Sequence, residues 1–324
     1  MPTLYTHQSA NIRKTWILMT GFLVFIIFLG WLFANLLNAP EILFLAIILS
    51  LAMNISAYWF SDKIALSIAK AKEVKFEENP ELHRIVENLA ITAGLPKPKI
   101  YFINEEQPNA FATGRNAKHA AIAVTRGLLE RLDRSELEGV LAHELSHIGN
   151  KDILISTVLV VLAGFIALLS NMFLRWTWFG GSGRSRDSND SRAGAILFAI
   201  GILMAVLAPI AAILVRLAIS RKREFLADAD GALLTRYPDG LASALAKISQ
   251  DSTPLKTANN ATAHLWINSP FSAEGGSQPK ADQPLAGAKI SGGKGQKKVS
   301  FLRKLFMTHP PIEERIMALR GLKT

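Results

Sequence analysis

Four uncharged apolar runs, residues 16–37, 42–60, 153–174 and 193–215, constrain this chain more than any other feature. Each is long enough, at about 1.5 Å per helical residue, to cross a hydrocarbon core about 30 Å thick. They explain why 324 residues that are 50% hydrophobic have a mean hydropathy of +0.24, too apolar for an ordinary soluble protein. The first run has no small-residue cleavage site and leads within four residues into the second, so it reads as an anchor and not as a cleaved leader. Pro209 is expected to kink the fourth run.

The placement of lysine and arginine sets the expected orientation. With the amino terminus inside, the inner flanks carry Arg13, Lys14, Lys63, Lys70, Lys72, Lys75, Lys151, Arg216, Arg221, Lys222 and Arg223. The outer flanks carry Arg175, Arg184, Arg186 and Arg192, so eleven face four. This bias puts both soluble segments on the cytoplasmic side. The net charge of +10 is then mostly membrane-flanking. It forms no basic stripe interleaved with aromatics, which argues against a nucleic-acid partner. The absence of cysteine excludes disulfides and sulfur ligands.

The chain accordingly divides into a two-helix membrane anchor, residues 1–60, and a soluble domain formed by 61–152 and 216–324. A membrane hairpin, 153–215, interrupts that domain. Within it, Asn79 and Pro80 open a helix that ends at Gly94, and 99–104 and 119–125 read as strands. Between them 108–115 is extended or a hairpin. The stretch 269–300, rich in Gly, Ser, Lys and Pro, reads as a flexible insert. Pro310 and Pro311 open a last helix ending near Gly321. The fold class is α+β, mostly α, with a small sheet.

His143-Glu144-Leu145-Ser146-His147 follows the second strand and has the form H-E-x-x-H. On a helix the two imidazoles project from one face one turn apart, where they can bind a single zinc ion, and Glu144 can hold a water bound to it. Ser135 and Glu138 read as a capping box for that helix, and Gly149-Asn150 as its stop. Leu137, Val140, Leu141, Leu145 and Ile148 recur as an apolar stripe, with the histidines on its flank at the rim of a cleft.

A zinc site needs a third protein ligand and an open position. No third histidine follows His147 at close spacing, and the best acidic candidate is Glu224, with Asp228 one helical turn later. Two spans separate His147 from Glu224, which returns both to one side of the membrane. Asp228 can then reach the second ring nitrogen of a ligand histidine. The alternative is that Glu224 and Asp228 balance Arg221, Lys222 and Arg223 on a solvated helix, with Glu274 or Glu313 as the next acidic ligands.

The H-E-L-S-H helix, the membrane hairpin, the run Ser220-Arg221-Lys222-Arg223-Glu224-Phe225-Leu226-Ala227-Asp228 and Thr308-His309-Pro310-Pro311 together resemble the HtpX family of bacterial membrane zinc metallopeptidases. That family is gluzincin-type and related to the CAAX prenyl protease. The likeness spans nearly the whole chain and includes 108–114; the long insert at 269–300 departs from it. It implies a multi-span protein of the bacterial inner membrane with a cytoplasmic zincin-like domain. One zinc per subunit would be held by His143, His147 and Glu224, with Glu144 as general base and His309 as an added group for the oxyanion. Substrates would be damaged, unfolded or misfolded membrane proteins in the bilayer, cut alongside an ATP-dependent membrane protease. Asn109, Ala110, Phe111, Ala112 and Thr113 are the expected edge strand for an extended peptide.

Other classes fit less well. A transporter carries ionisable groups within its spans, and these runs have none. An intramembrane protease sets H-E-x-x-H in an apolar run, whereas Asp133, Glu136 and Glu138 precede this one. The remaining alternatives are a CAAX-type prenyl-protein peptidase and a catalytically inactive membrane scaffold.

Overall fold

The computed structural model describes residues 4–36, 38–180, 221–256, 262–268 and 310–322. The fourth apolar run with Pro209, the insert 269–300, Glu274 and His309 lie outside the described residues.

The first two apolar runs form α1 (Leu4–Leu36) and α2 (Glu41–Trp59), both long and apolar enough to cross a membrane. They touch closely, and a methyl group added at Gly30 would collide with Ala46. Small residues at such a contact let helix backbones approach within a bilayer. Outward, Phe28, Trp31, Phe44, Leu45 and Ile48 are exposed, the surface expected to face lipid. At the ends of α1 and α2 that lead into the soluble part, Trp16 and Tyr58 lie 5.7 Å apart, and the Arg115 guanidinium lies 4.7 Å from the Trp59 ring. Tryptophan and tyrosine with a cation is the chemistry of a membrane–water boundary.

One feature of α1 differs from the sequence reading. The helix begins at Leu4, well before the apolar run, and this polar extension is ordered against the soluble domain. The third apolar run is also helical, in α7 (Asp152–Gly180). Its first turns are buried on all sides: Ile155, Val158, Leu159 and Leu162 pack with α1 and α2, and Val160 packs with Phe111 and Trp266.

The sheet comprises β1 (Lys72–Glu73), β2 (Lys99–Ile103), β3 (Ala110–Gly114) and β4 (Ala120–Thr125), in the order β1-β2-β4-β3. β2 and β4 are parallel, with Ile100 opposite Ile122; the other two pairings are antiparallel. Central β4 reads Ala-Ala-Ile-Ala-Val-Thr and is buried throughout, as a strand covered on both faces must be. β3 is the outer strand, with Ala112 opposite Ile122.

After the short helix α3 (Ser61–Ile68), helix α4 (Pro80–Thr92) starts as expected, with the Asn79 carboxamide accepting from Leu82 N at 3.0 Å, and the chain leaves it through Gly94 at φ 66°. The short helix α5 (Arg126–Arg131) follows β4. Helix α6 (Arg134–Gly149) requires two corrections. Its cap is Asp133, which accepts from Glu136 N at 3.0 Å while Glu136 accepts from Asp133 N at 2.9 Å. The Asp-x-x-Glu box lies two residues before the Ser135/Glu138 pair of equal spacing, and Glu138 instead pairs with Arg134. An ionised carboxylate also suits the positive end of the helix dipole. The stripe Leu137, Val140, Leu141, Leu145 and Ile148 is buried, but so are Gly139, Ala142, His143, Glu144 and Ser146. From Gly139 to Ile148 the helix is thus enclosed, with His147 alone partly exposed, and His143 and Glu144 sit inside the fold instead of at a rim.

That enclosure depends on glycine. Helix α8 (Arg221–Thr235) crosses α6 so closely that a Cβ on Gly231 would lie 3.0 Å from His143 N. Helix α9 (Pro238–Gln250) does the same at Gly139, where a Cβ would lie 2.7 Å from Leu241 N. Helix α10 (Ile312–Arg320) closes the bundle over α8 and α9.

Candidate metal centre

The H-E-x-x-H helix holds its histidines as helical geometry demands, with ring centroids 4.7 Å apart and nearly perpendicular planes. Their Nε2 atoms lie 3.2 Å apart. Glu224, in the first turn of α8, completes a triangle: Oε2 is 4.0 Å from His143 Nε2 and Oε1 is 3.7 Å from His147 Nε2. A tetrahedral zinc with bonds of about 2.0–2.1 Å has ligand–ligand edges of about 3.3 Å. The triangle is close to that size, and His143, His147 and Glu224 are the one group of this kind among the described residues that could hold a metal ion.

Both histidines are oriented from behind. His143 Nδ1 lies 2.9 Å from Asp228 Oδ1, and His147 Nδ1 lies 3.0 Å from Asp152 Oδ2. A carboxylate behind each ring keeps the proton on Nδ1 and leaves the Nε2 lone pair facing the triangle. The sequence alone assigns Asp152 no role. The chain turns through Lys151 at φ 58° and α7 departs at 84° to α6, which brings the aspartate back beside His147. A lysine held in the left-handed region is strained, and such strain gathers at functional sites.

Arg315 was also missed. It is completely buried on α10, donating from Nε and Nη2 to the two carboxylate oxygens of Asp228 at 2.8 and 2.7 Å. Its Nη1 is 3.6 Å from Glu224 Oε2. Nothing in Glu-Glu-Arg-Ile-Met-Ala-Leu-Arg distinguishes Arg315 from exposed Arg320; only the packing of α10 does. Burial would raise Asp228, but Arg315 and His143 outweigh it and hold the carboxyl at about 2.

The remaining electrostatics follow from enclosure. Burial pulls His143 below the usual imidazole value. Burial also pulls His147 down, but Asp152, Glu224 and Glu144 outweigh it and raise that ring to about 9. A cation entering the triangle therefore takes the place of a proton. Burial pushes Glu144 up to about 7, opposed by the charge of His147 and by a hydrogen bond from the Ala112 amide. Four carboxylates (Glu144, Asp152, Glu224, Asp228) face two guanidiniums (Arg223, Arg315) here, an excess of acidic groups that a proton on His147 or a bound dication offsets. Buried charge of one sign is stable only when so balanced. The donor set of two imidazoles and a carboxylate thus fits zinc.

A cavity of about 40 Å³ lies over the triangle, walled by Ala112, Glu144, Arg223, His264, Leu265 and Ile267 among others. It holds a water or two and not a peptide. Of the expected edge residues, only Ala112 borders it. Ala110 O accepts from Ile267 N at 3.1 Å, Asn109 exchanges hydrogen bonds with Asn268, and Phe111 packs edge-on against Trp266. Thr113 Oγ1 meets Thr157 Oγ1 at 3.1 Å. The segment 262–268 thus covers the outer edge of β3. His264, given no role from the sequence, is buried on the cavity wall with Nε2 2.9 Å from Ser156 O. His83 bonds Val74 O, His119 is exposed, and Glu313 is exposed on α10.

The buried pair gives a stability prediction. Arg315→Met keeps most of the volume but leaves Asp228 uncompensated, and should destabilise the protein by about 3–5 kcal/mol in denaturant unfolding. Adding Asp228→Asn should recover part of that loss. Because the Asp228 pKa is depressed, the pair's contribution is complete above about pH 4 and is lost as pH falls toward 2. Unfolding curves that do not change for Arg315→Met would show that the pair does not hold α10.

Comparison with known proteins agrees with this geometry. The model of peptidase family M48 matches residues 77–323. The chain is 46% identical over 323 residues to a Protease HtpX homolog of Caldanaerobacter subterraneus subsp. tengcongensis, covering 99% of this chain and 98% of that one. It is 48% identical over 281 residues to a Protease HtpX homolog of Pyrococcus furiosus, covering 86% of each. A crystal structure of S. mikatae Ste24p superposes with a TM-score of 0.47 at 18% identity, over 98% of this chain and 66% of that one, a likeness too slight to bear on the fold. With a family match over most of its length and relatives alike from end to end, the chain belongs to peptidase family M48 and is a membrane metallopeptidase.

Proposed function

We propose that this metallopeptidase is a zinc endopeptidase that cuts damaged or misfolded membrane proteins on the cytoplasmic side of the bacterial inner membrane. The observation that carries the reading is the triangle of His143 Nε2, His147 Nε2 and Glu224, with buried Glu144 beside it. Zinc held there by these three residues supplies positive charge that acidifies a water and polarises a carbonyl. Glu144, whose carboxyl burial has already raised, takes the water's proton as the oxygen attacks the scissile carbonyl carbon. It then delivers that proton to the leaving amine as the C–N bond breaks. Asp228 and Asp152 keep the two imidazoles aimed, and His309 adds a donor toward the oxyanion.

A peptide lies along Asn109–Thr113 as an added strand, which demands backbone and little sequence. Entry requires 262–268 to move off β3, since Ile267 already bonds Ala110. The distance to the bilayer supports membrane proteins as the substrates. Ala112 borders the site, and three residues later Arg115 stacks on Trp59 at the aromatic boundary, about 10 Å along a strand. A chain emerging from the membrane reaches the site within a few residues.

The proposed arrangement is an anchor of residues 1–60, a cytoplasmic domain of 61–152 and 216–324, and a membrane hairpin of 153–215. An ATP-dependent membrane protease acts on the same substrates.

In a purified preparation, Glu144→Gln should keep one zinc per chain and lose casein cleavage at least about a hundredfold. His143→Ala and Glu224→Ala should lose both metal and activity, and a chelator should silence the wild type. Zinc retained at full occupancy by Glu224→Ala would place the third ligand elsewhere.

Orientation is tested in this cysteine-free chain with single cysteines at Ser182 and Ser252. An impermeant thiol reagent on intact cells should label the first and spare the second. Equal labelling would overturn the hairpin or its direction.

A further inference from the structure

The polar extension of the first membrane helix runs into the back of the metal centre. Asn11 is buried, and its Nδ2 donates to Asp152 Oδ1 at 2.6 Å and to Asn150 O at 3.1 Å. One turn earlier Gln8 Nε2 donates to Gly149 O at 2.7 Å, so α1 clasps the carboxyl end of the H-E-x-x-H helix. The carbonyls of a helix's last turn have no partner within the helix, and these two amides supply one.

Asp152 is shared among three elements. Its Oδ2 faces His147 Nδ1 at 3.0 Å, and its Oδ1 is held by Asn11 and lies 3.6 Å from Arg223 Nη1. A carboxylate fixed at one oxygen only can rotate about its last torsion, which is broad and roughly two-fold. Held at both oxygens, it fixes the plane in which His147 presents Nε2. The Asn11 amide uses both hydrogens, one on the carboxylate and one on the backbone of the turn that delivers it.

We infer that Asn11 is a positioning residue for the metal centre: through Asp152 it orients His147, so that the first membrane helix forms part of the zinc site as well as anchoring it. This rests on the reading of His147 as a ligand. The apolar run begins at Trp16, about 8 Å up the helix from Asn11, so the centre is tied to the bilayer by little more than one turn. Depth and tilt of α1 then bear on how well the metal is held.

The test is the zinc dissociation constant of the full-length protein in detergent, read by competition with a chromophoric chelator. Asn11→Ala should weaken zinc roughly tenfold, and Asp152→Asn by about 10–100-fold. In the Asp152→Asn background Asn11→Ala should add less than about twofold, because both act through one carboxylate. Asn11→Leu removes the donor while keeping a side chain of the same branching, and should show the same loss of zinc affinity. Gln8→Ala, which loosens the clasp without touching Asp152, should leave zinc affinity within about twofold.

Unchanged affinity in Asn11→Ala and Asn11→Leu would overturn the inference. So would an equal loss in Gln8→Ala, or additive losses for Asn11 and Asp152. A His147→Ala control separates this failure from failure of the ligand assignment: if that variant keeps its zinc, the assignment itself falls.

Discussion

Two hydrogen bonds organise this molecule, one from each motif histidine to an aspartate behind it: His143 to Asp228 and His147 to Asp152. An imidazole on a helix can rotate and can carry its proton on either nitrogen. With a carboxylate against Nδ1 both freedoms are removed, and the two Nε2 atoms meet at one point. The rest of the structure brings those aspartates to that place. Helix α8 delivers Asp228 and Glu224 together and can lie close enough only because Gly231 has no side chain to strike His143. The turn at Lys151 returns Asp152.

A second layer holds the aspartates. Arg315, from the end of the chain, pairs with Asp228, while Asn11, from its beginning, holds Asp152. Chain positions separated by 304 residues thus act on neighbouring side chains of one site. So much buried charge is stable only because the groups are paired and hydrogen-bonded, and the remaining excess of carboxylates suits a dication. Burial raises Glu144 into the range where a carboxylate can both accept and return a proton near neutral pH.

How much of this was legible depended on whether a signal was local. The H-E-x-x-H spacing, Asn79 and Pro80 opening a helix, and the length of the first two apolar runs are properties of neighbouring residues, and each could be read directly. The pairing of Glu224 with the motif was expected from parity, on the proposed reading of 153–215 as a membrane hairpin. Asp152 could not, because a break in the helix cancels any periodicity between it and His147. Asn11 lies upstream of the apolar run, where composition says only that the residues are polar. Arg315 shares its helix with exposed charges, and only packing distinguishes it. The cap was misplaced because Asp133/Glu136 and Ser135/Glu138 have equal spacing, and the choice between them rests on where the backbone first turns helical.

The central claim is that three residues from two helices, far apart in sequence, meet on one zinc ion. Anomalous diffraction at the zinc edge from crystals of the full chain tests it most directly. The account predicts a single peak about 2.0–2.2 Å from His143 Nε2, His147 Nε2 and a Glu224 oxygen, with both Nδ1 atoms still against Asp228 and Asp152. A peak bound through either Nδ1, or one with Glu224 turned away and another residue in its place, would contradict it.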